Sequence, residues 1–210
     1  MLFKVIFKII LKFCFSILFL IIFTINSTPA ADEPISNTIE ETKKQALALY
    51  ATKNYQQAEI LLKNLPKNDK TEETYLLLSN IALENSNEDL AIQNLNKALD
   101  KNPKYFKAYY NLGNIFAMKG SFVLAVKNYE LALKNNKTNA PIYYNLAFCQ
   151  IKLKNFKAAK KNLIKSINLN PENENSYYNL ALCYKELNKI KKAKKTLERY
   201  ESFLSQLNEE

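Results

Sequence analysis

A 34-residue period runs through most of the chain. Written in four blocks that begin at Glu72, Phe106, Ala140 and Glu174, the sequence places the same kinds of side chain at the same offsets. The fourth position of each block is aromatic: Tyr75, Tyr109, Tyr143 and Tyr177. Three places later comes a leucine and then a small residue: Leu78-Ser79, Leu112-Gly113, Leu146-Ala147 and Leu180-Ala181. A unit repeated in this way cannot bury its apolar face alone, so the blocks are expected to stack on one another.

The second half of each block repeats as well. An alanine column is formed by Ala91, Ala125, Ala159 and Ala193. A large apolar column follows four residues later: Leu95, Tyr129, Leu163 and Leu197. The last column is small in Ala98, Ala132 and Ser166, and the final block departs from it with Tyr200.

The spacing within a block predicts two helices. Tyr109, Leu112 and Phe116 follow one another at i, i+3 and i+7, which places them on one helical face. The small column allows the paired helices to approach closely, because a bulky residue there would cost about 1–3 kcal/mol. With only 2 glycines and 6 prolines in 210 residues, the chain has little of the usual strand and turn punctuation. A left-handed backbone is expected at the turns between helices, at Gly120, Asn155 and Asn188.

This pattern resembles the tetratricopeptide repeat, in which an aromatic residue, Leu-Gly, and later Ala, Phe, Ala and Pro recur at fixed offsets. The resemblance implies an all-α fold, a right-handed α-solenoid of antiparallel helix pairs known as a TPR superhelix. The chain then divides into a degenerate repeat and four regular ones, the last with a terminal capping helix, over residues 39–71, 72–105, 106–139, 140–173 and 174–207.

The N-terminal thirty residues are typical of an export signal. Lys4, Lys8 and Lys12 precede an apolar run over residues 13–25, and small residues up to Ala30 follow. Residues 1–30 are therefore predicted to be a signal peptide, with an uncleaved membrane anchor as the alternative, and residues 31–38 a short linker. Either reading places the repeats outside the bacterial cytoplasm, in the periplasm or on the extracytoplasmic face of the membrane.

The resemblance also implies a binding surface. In this family the first helix of each pair lines a concave groove that holds a peptide segment or a helix of a partner protein. Projected onto the matching columns, the groove residues are Tyr110, Asn111, Asn114, Tyr144, Asn145, Phe148, Tyr178, Asn179 and Leu182. Two further columns complete its wall: Leu83, Ala117, Ile151 and Lys185, with Glu84, Met118, Lys152 and Glu186. The aromatic ladder serves either as a contact surface or as part of the repeat consensus.

Charge is distributed unevenly along the chain. Residues 32–103 carry 8 lysines and 12 acidic residues, whereas residues 104–210 carry 19 basic and 8 acidic residues. A basic cluster lies in the last block: Lys189, Lys191, Lys192, Lys194 and Lys195. It is either a solvated face or a contact for a membrane surface or an acidic partner. Nucleic acid is not an expected partner, because the chain has one arginine and no recognition motif.

No catalytic or cofactor-binding constellation is visible. Histidine is absent, and two glycines do not make a phosphate-binding loop. Cys149 and Cys183 lie 34 residues apart in the same column and are predicted to be small buried hydrophobes rather than a disulfide. The expected function is therefore that of a non-enzymatic adaptor, without cofactor or metal, that binds partner proteins and scaffolds assembly of a cell-envelope complex. The alternative is a membrane-tethered structural component that self-associates and leaves the groove unused.

Overall fold

The structure, a computed structural model, describes residues 35–207, and all regular secondary structure in that range is α-helical. Ten helices are described: α1 (Ile35–Ala51), α2 (Tyr55–Asn64), α3 (Glu72–Glu84), α4 (Glu88–Lys101), α5 (Phe106–Met118), α6 (Phe122–Asn135), α7 (Ala140–Lys152), α8 (Phe156–Leu169), α9 (Glu174–Glu186) and α10 (Ile190–Leu207). None of them is both long and apolar enough to cross a bilayer. The predicted signal peptide, residues 1–30, lies outside the described residues.

The described residues fall into two units, 35–44 and 45–207. The first is the beginning of α1, where the Thr42 hydroxyl donates a hydrogen bond to the Thr38 carbonyl at 2.7 Å. Helix α1 begins at Ile35, so residues 35–38 of the predicted linker are helical, and residues 31–34 lie outside the described residues.

The second unit is a stack of helix hairpins. Helices α3–α4, α5–α6, α7–α8 and α9–α10 form pairs, and the second helix of each of the first three packs against the first helix of the next. Among the first helices, α7 also contacts both α5 and α9 directly. Their first residues are Phe106, Ala140 and Glu174. The predicted fold class, an all-α solenoid of antiparallel helix pairs, is confirmed.

Side-chain volumes are matched where the two helices of a pair cross. A Cβ atom on Gly113 would lie only 2.5 Å from Cε1 of Tyr129, which is fully buried. The Tyr129 hydroxyl donates to Oδ1 of Asn114 at 2.8 Å, and burial raises the Tyr129 pKa. In the next pair an alanine, Ala147, faces the smaller Leu163. The residue of the small column is therefore smallest, a glycine, where the side chain that it packs against is largest, a tyrosine.

The hairpin turns use a left-handed residue, although not always where the sequence predicted one. Positive φ angles occur at Lys53, Ser86, Gly120, Lys154 and Asn188. The prediction for Asn155 is wrong: its φ is −86°, and its side chain accepts a hydrogen bond from the Ala158 N–H at 3.4 Å. Asn155 caps the N-terminus of α8, and Lys154 makes the turn.

Candidate protein-binding site

The nine residues predicted to line the groove all lie on α5, α7 and α9, whereas Leu83 of its predicted wall lies on α3. One row holds Tyr110, Tyr144 and Tyr178; a second holds Asn114, Phe148 and Leu182; a third holds Asn111, Asn145 and Asn179. Since α7 contacts both α5 and α9, the rows run from one repeat to the next. We call this surface, together with Met118, the first-helix face.

The asparagine row joins neighbouring repeats. The Asn145 amide donates to Oδ1 of Asn114 at 3.1 Å and to the Tyr110 hydroxyl at 3.3 Å. The Asn179 amide donates to the Tyr144 hydroxyl at 3.3 Å. In the same way, the amide of Asn111 donates to Oδ1 of Asn80 at 3.1 Å. These amide groups therefore hold successive repeats in register.

Apolar side chains remain open beside this ladder. Met118 is 75% exposed, Phe148 37% and Tyr178 51%, one on each of the three helices. The Lys152 ammonium lies 5.2 Å from the centre of the Phe148 ring. Tyr144 is half-buried, and burial raises its pKa above the ordinary value for tyrosine. The open part of the first-helix face is therefore apolar and aromatic, a composition suited to contact with another protein.

The basic cluster lies on the last helix pair. Four of its five lysines belong to α10, Lys189 directly precedes that helix, and all five are exposed. Lys192 and Lys195, together with Arg199, line a cleft of about 390 Å³ whose other walls include Tyr177 and Tyr184 of α9. The guanidinium of Arg199 lies 4.9 Å from the centre of the Phe203 ring, which in turn packs 5.3 Å from the ring of Tyr177.

The two cysteines lie inside the stack. Cys149 and Cys183 are free thiols with no exposed surface, and the prediction that they are small buried hydrophobes is confirmed. Burial raises the pKa of each to about 11, so both thiols stay protonated at neutral pH. Within residues 35–207, no cluster of three or more cysteine, aspartate or glutamate side chains is arranged to hold a metal ion.

Comparison with known protein families shows to which of them the chain belongs. A family described as the C-terminal ARM domain of tetratricopeptide repeat protein 21 matches residues 34–161, more than half of the chain. A tetratricopeptide repeat family matches residues 163–195. The chain belongs to the tetratricopeptide-repeat family. Its two helices per 34 residues agree with a tetratricopeptide repeat, since armadillo repeats are longer, at about 40–47 residues. Membership supports a protein-binding scaffold, and families of this kind typically have no catalytic role.

Solved structures share the solenoid. A crystal structure of MamA is 20% identical, with a TM-score of 0.71, and the match covers 79% of this chain and 97% of that one. MamA 41-end from Desulfovibrio magneticus RS-1 is 16% identical, with a TM-score of 0.70 and coverage of 80% and 96%. At these identities the likeness establishes the tetratricopeptide fold. No curated protein matches this sequence.

Proposed function

We propose that this chain is an exported adaptor that holds a helical segment of a partner protein on its first-helix face and so supports assembly of a cell-envelope complex. The observation that carries the proposal is that an exposed apolar side chain lies on each of three adjacent first helices, Met118, Phe148 and Tyr178, four repeat positions earlier from one helix to the next. A contiguous patch of exposed apolar side chains marks an interaction site in soluble proteins.

The asparagine ladder favours a helix over an extended segment as the ligand. An extended segment needs hydrogen-bonding groups for its own backbone. The amides of Asn111, Asn145 and Asn179, which would supply donors, already bond the preceding repeat. A helix satisfies its backbone internally and presents only side chains, which suits an apolar surface.

Export is the second part of the proposal. It rests on the basic start, the apolar run and the small residues within residues 1–30. A fusion of the whole chain to alkaline phosphatase in a bacterial host tests it, since this enzyme is active only after translocation. Activity with the native N-terminus and its loss when residues 13–25 are deleted are expected; cytoplasmic, inactive fusion protein would contradict export.

Site-specific crosslinking in cells tests the binding face. A photoreactive amino acid at position 148 is expected to capture a partner, and Met118→Ala placed in the same chain is expected to weaken the capture. The matched control is Val123→Ala/Leu124→Ala, which removes two exposed apolar side chains from α6 without touching the first-helix face. Capture only of further copies of this chain would favour the self-associating component, and capture unaffected by either change would reject the face.

A further inference from the structure

The outer face of the last helix pair repeats an interface that is filled one repeat earlier. Ala147, Ala159 and Leu163, in the α7–α8 pair, are completely buried beneath α9. Their counterparts 34 residues later are Ala181, Ala193 and Leu197, in the α9–α10 pair. There they line an open cleft of about 360 Å³, and Leu197 is 37% exposed. We call it the terminal cleft; its remaining walls are Tyr178, Leu182, Lys185, Ile190 and Lys194.

The filled interface shows what shape the cleft accepts. Helix α9 lies against α7 and α8 through Leu180 and Cys183, which are buried, and through Tyr184, which is half-buried. These residues follow one another at i, i+3 and i+4, so they form one apolar stripe of a helix. A helix with a stripe of small and medium apolar side chains therefore matches the terminal cleft.

Tyr200 limits the length of that helix. Inside the stack its counterpart is Ser166, whose hydroxyl donates to the Ala140 carbonyl at 3.3 Å and lies 3.2 Å from the Ser176 hydroxyl at the beginning of α9. In the last pair Tyr200 takes this place and packs against Tyr178, with ring centres 5.4 Å apart. A tyrosine at this position leaves less room than Ser166 does for the beginning of a further first helix. The part that stays open runs along residues 190–197 of α10, about two helical turns.

The rim of the terminal cleft is basic. Lys185, on α9, replaces the Ile151 of the preceding repeat, and Lys194 lies across the cleft on α10. Residues 185–198 contain 6 lysines and 2 glutamates. Within the described part of the chain, none of these lysines forms an ion pair. An occupant with acidic side chains beside its apolar stripe would meet unpaired positive charge on both sides.

We propose that the terminal cleft binds a short amphipathic helix of a partner protein, about two turns long, with acidic residues flanking its apolar stripe. This surface is separate from most of the first-helix face and shares only Tyr178 and Leu182 with it. Closely spaced apolar anchors supply the contact area, and the lysines select the charge of the partner.

Peptide binding to the full-length chain in lipid nanodiscs tests the proposal. The probe is a fluorescent peptide of about eight residues, held helical by a side-chain link because so short a helix does not form alone, with leucine and alanine at the spacing of Leu180, Cys183 and Tyr184 and with glutamate on both flanks. A second peptide has the same stripe with lysine flanks. The glutamate peptide is expected to bind at least about tenfold more tightly than the lysine peptide at physiological salt. Equal binding of the two peptides would overturn the charge argument.

Variants of the chain locate the binding. Ala193→Phe fills the cleft and Lys185→Glu/Lys194→Glu reverses its rim, and each is expected to weaken the glutamate peptide about tenfold. Lys191→Glu/Lys195→Glu makes the same charge change on the same hairpin outside the cleft lining and is expected to change binding less than about threefold. Leu197→Gln, at a partly exposed position, repeats the test if Ala193→Phe does not fold.

The first-helix face provides the last control. Met118→Ala/Phe148→Ala is expected to leave this peptide unaffected, because neither residue lines the cleft. If that variant removes binding while the cleft variants keep it, the peptide lies on the first-helix face and the terminal cleft proposal fails. If all variants bind alike, or if the native chain does not bind, the proposal also fails, whereas crosslinking from position 148 remains an independent measure of the proposed adaptor function.

Discussion

The α7–α8 and α9–α10 pairs place nearly the same side chains in different surroundings. Ala159 and Leu163 in the first pair are inaccessible to solvent, whereas Ala193 and Leu197 in the second are partly exposed. The side that each pair turns toward its predecessor is alike, since Cys149 and Cys183 are equally buried. Burial in this stack is therefore decided by the presence of a following helix and not by the identity of the residue.

The largest expected difference between the two pairs is in the large apolar column. Leu163→Ala is expected to lower the free energy of unfolding by about 2–5 kcal/mol, because it leaves a cavity beneath α9. Leu197→Ala is expected to cost less than about 1 kcal/mol, because solvent already reaches that side chain. Urea denaturation of both variants measures the difference; equal losses would show that the end of the stack is covered in solution.

The small column extends the comparison to α5–α6. Gly113→Ala is expected to destabilise the chain by about 2 kcal/mol despite the better helix propensity of alanine, because the new methyl group overlaps the buried Tyr129 ring. Gly113→Ala/Tyr129→Leu reproduces the alanine–leucine pair of α7–α8. In a double-mutant cycle by thermal unfolding, the two changes together are expected to cost less than the sum of the single changes. Additive costs would contradict volume matching.

The two pairs are expected to lose stability alike at alkaline pH through the cysteine that each packs against the preceding pair. Burial raises the pKa of Cys149 and of Cys183 to about 11, above the ordinary value of 9.0. Each thiol therefore contributes stability that is fully present below pH 9 and is lost as the pH rises toward 11, about 1 kcal/mol for each at pH 10. Unfolding measured from pH 8 to 10.5 is expected to show a flatter decline for Cys149→Ala and for Cys183→Ala. A flatter decline for Cys149→Ala alone would separate the two pairs.

The smallest effect concerns the asparagine row. Asn145→Ala removes two hydrogen bonds between repeats and Asn179→Ala removes one, so losses of about 1 and about 0.5 kcal/mol are expected. Hydrogen exchange of the amides in α7 and α9 checks whether the loosening stays local. A larger loss at Asn179 would mean that the terminal pair depends more on its predecessor than interior pairs do.

The repeated columns predicted much of the fold because the residues of one column take the same position on the same helix in every repeat. Leu163 follows Ala159 after four residues, a spacing that indicates one helix face, and the 34-residue period indicates that the next repeat packs against it. The period could not identify which atoms meet. The contact between Gly113 and Tyr129 depends on the crossing of two helices, and the column alone shows only that a small residue is needed.

Less of the candidate site than of the fold could be predicted from the sequence. The sequence placed the asparagines on the proposed binding surface, and the structure shows their amides bonded to tyrosine and asparagine side chains of the preceding repeat. Such bonds join residues 31–35 positions apart through geometry that a column of identical residues does not contain. The departure of Tyr200 from its column was visible in the sequence, but its packing on Tyr178 was not.

The left-handed turns have a consequence for thermal tolerance. Ser86, Lys154 and Asn188 occupy the position that Gly120 occupies in the α5–α6 hairpin, all with φ between 56° and 73°. A side chain at such an angle costs the native state about 1 kcal/mol or more, most for lysine and least for asparagine. The stack thus holds strain at nearly every hairpin, outside its core. Replacing Ser86, Lys154 and Asn188 by glycine would relieve this strain and is expected to raise the melting temperature, and none of the three residues belongs to the first-helix face or lines the terminal cleft.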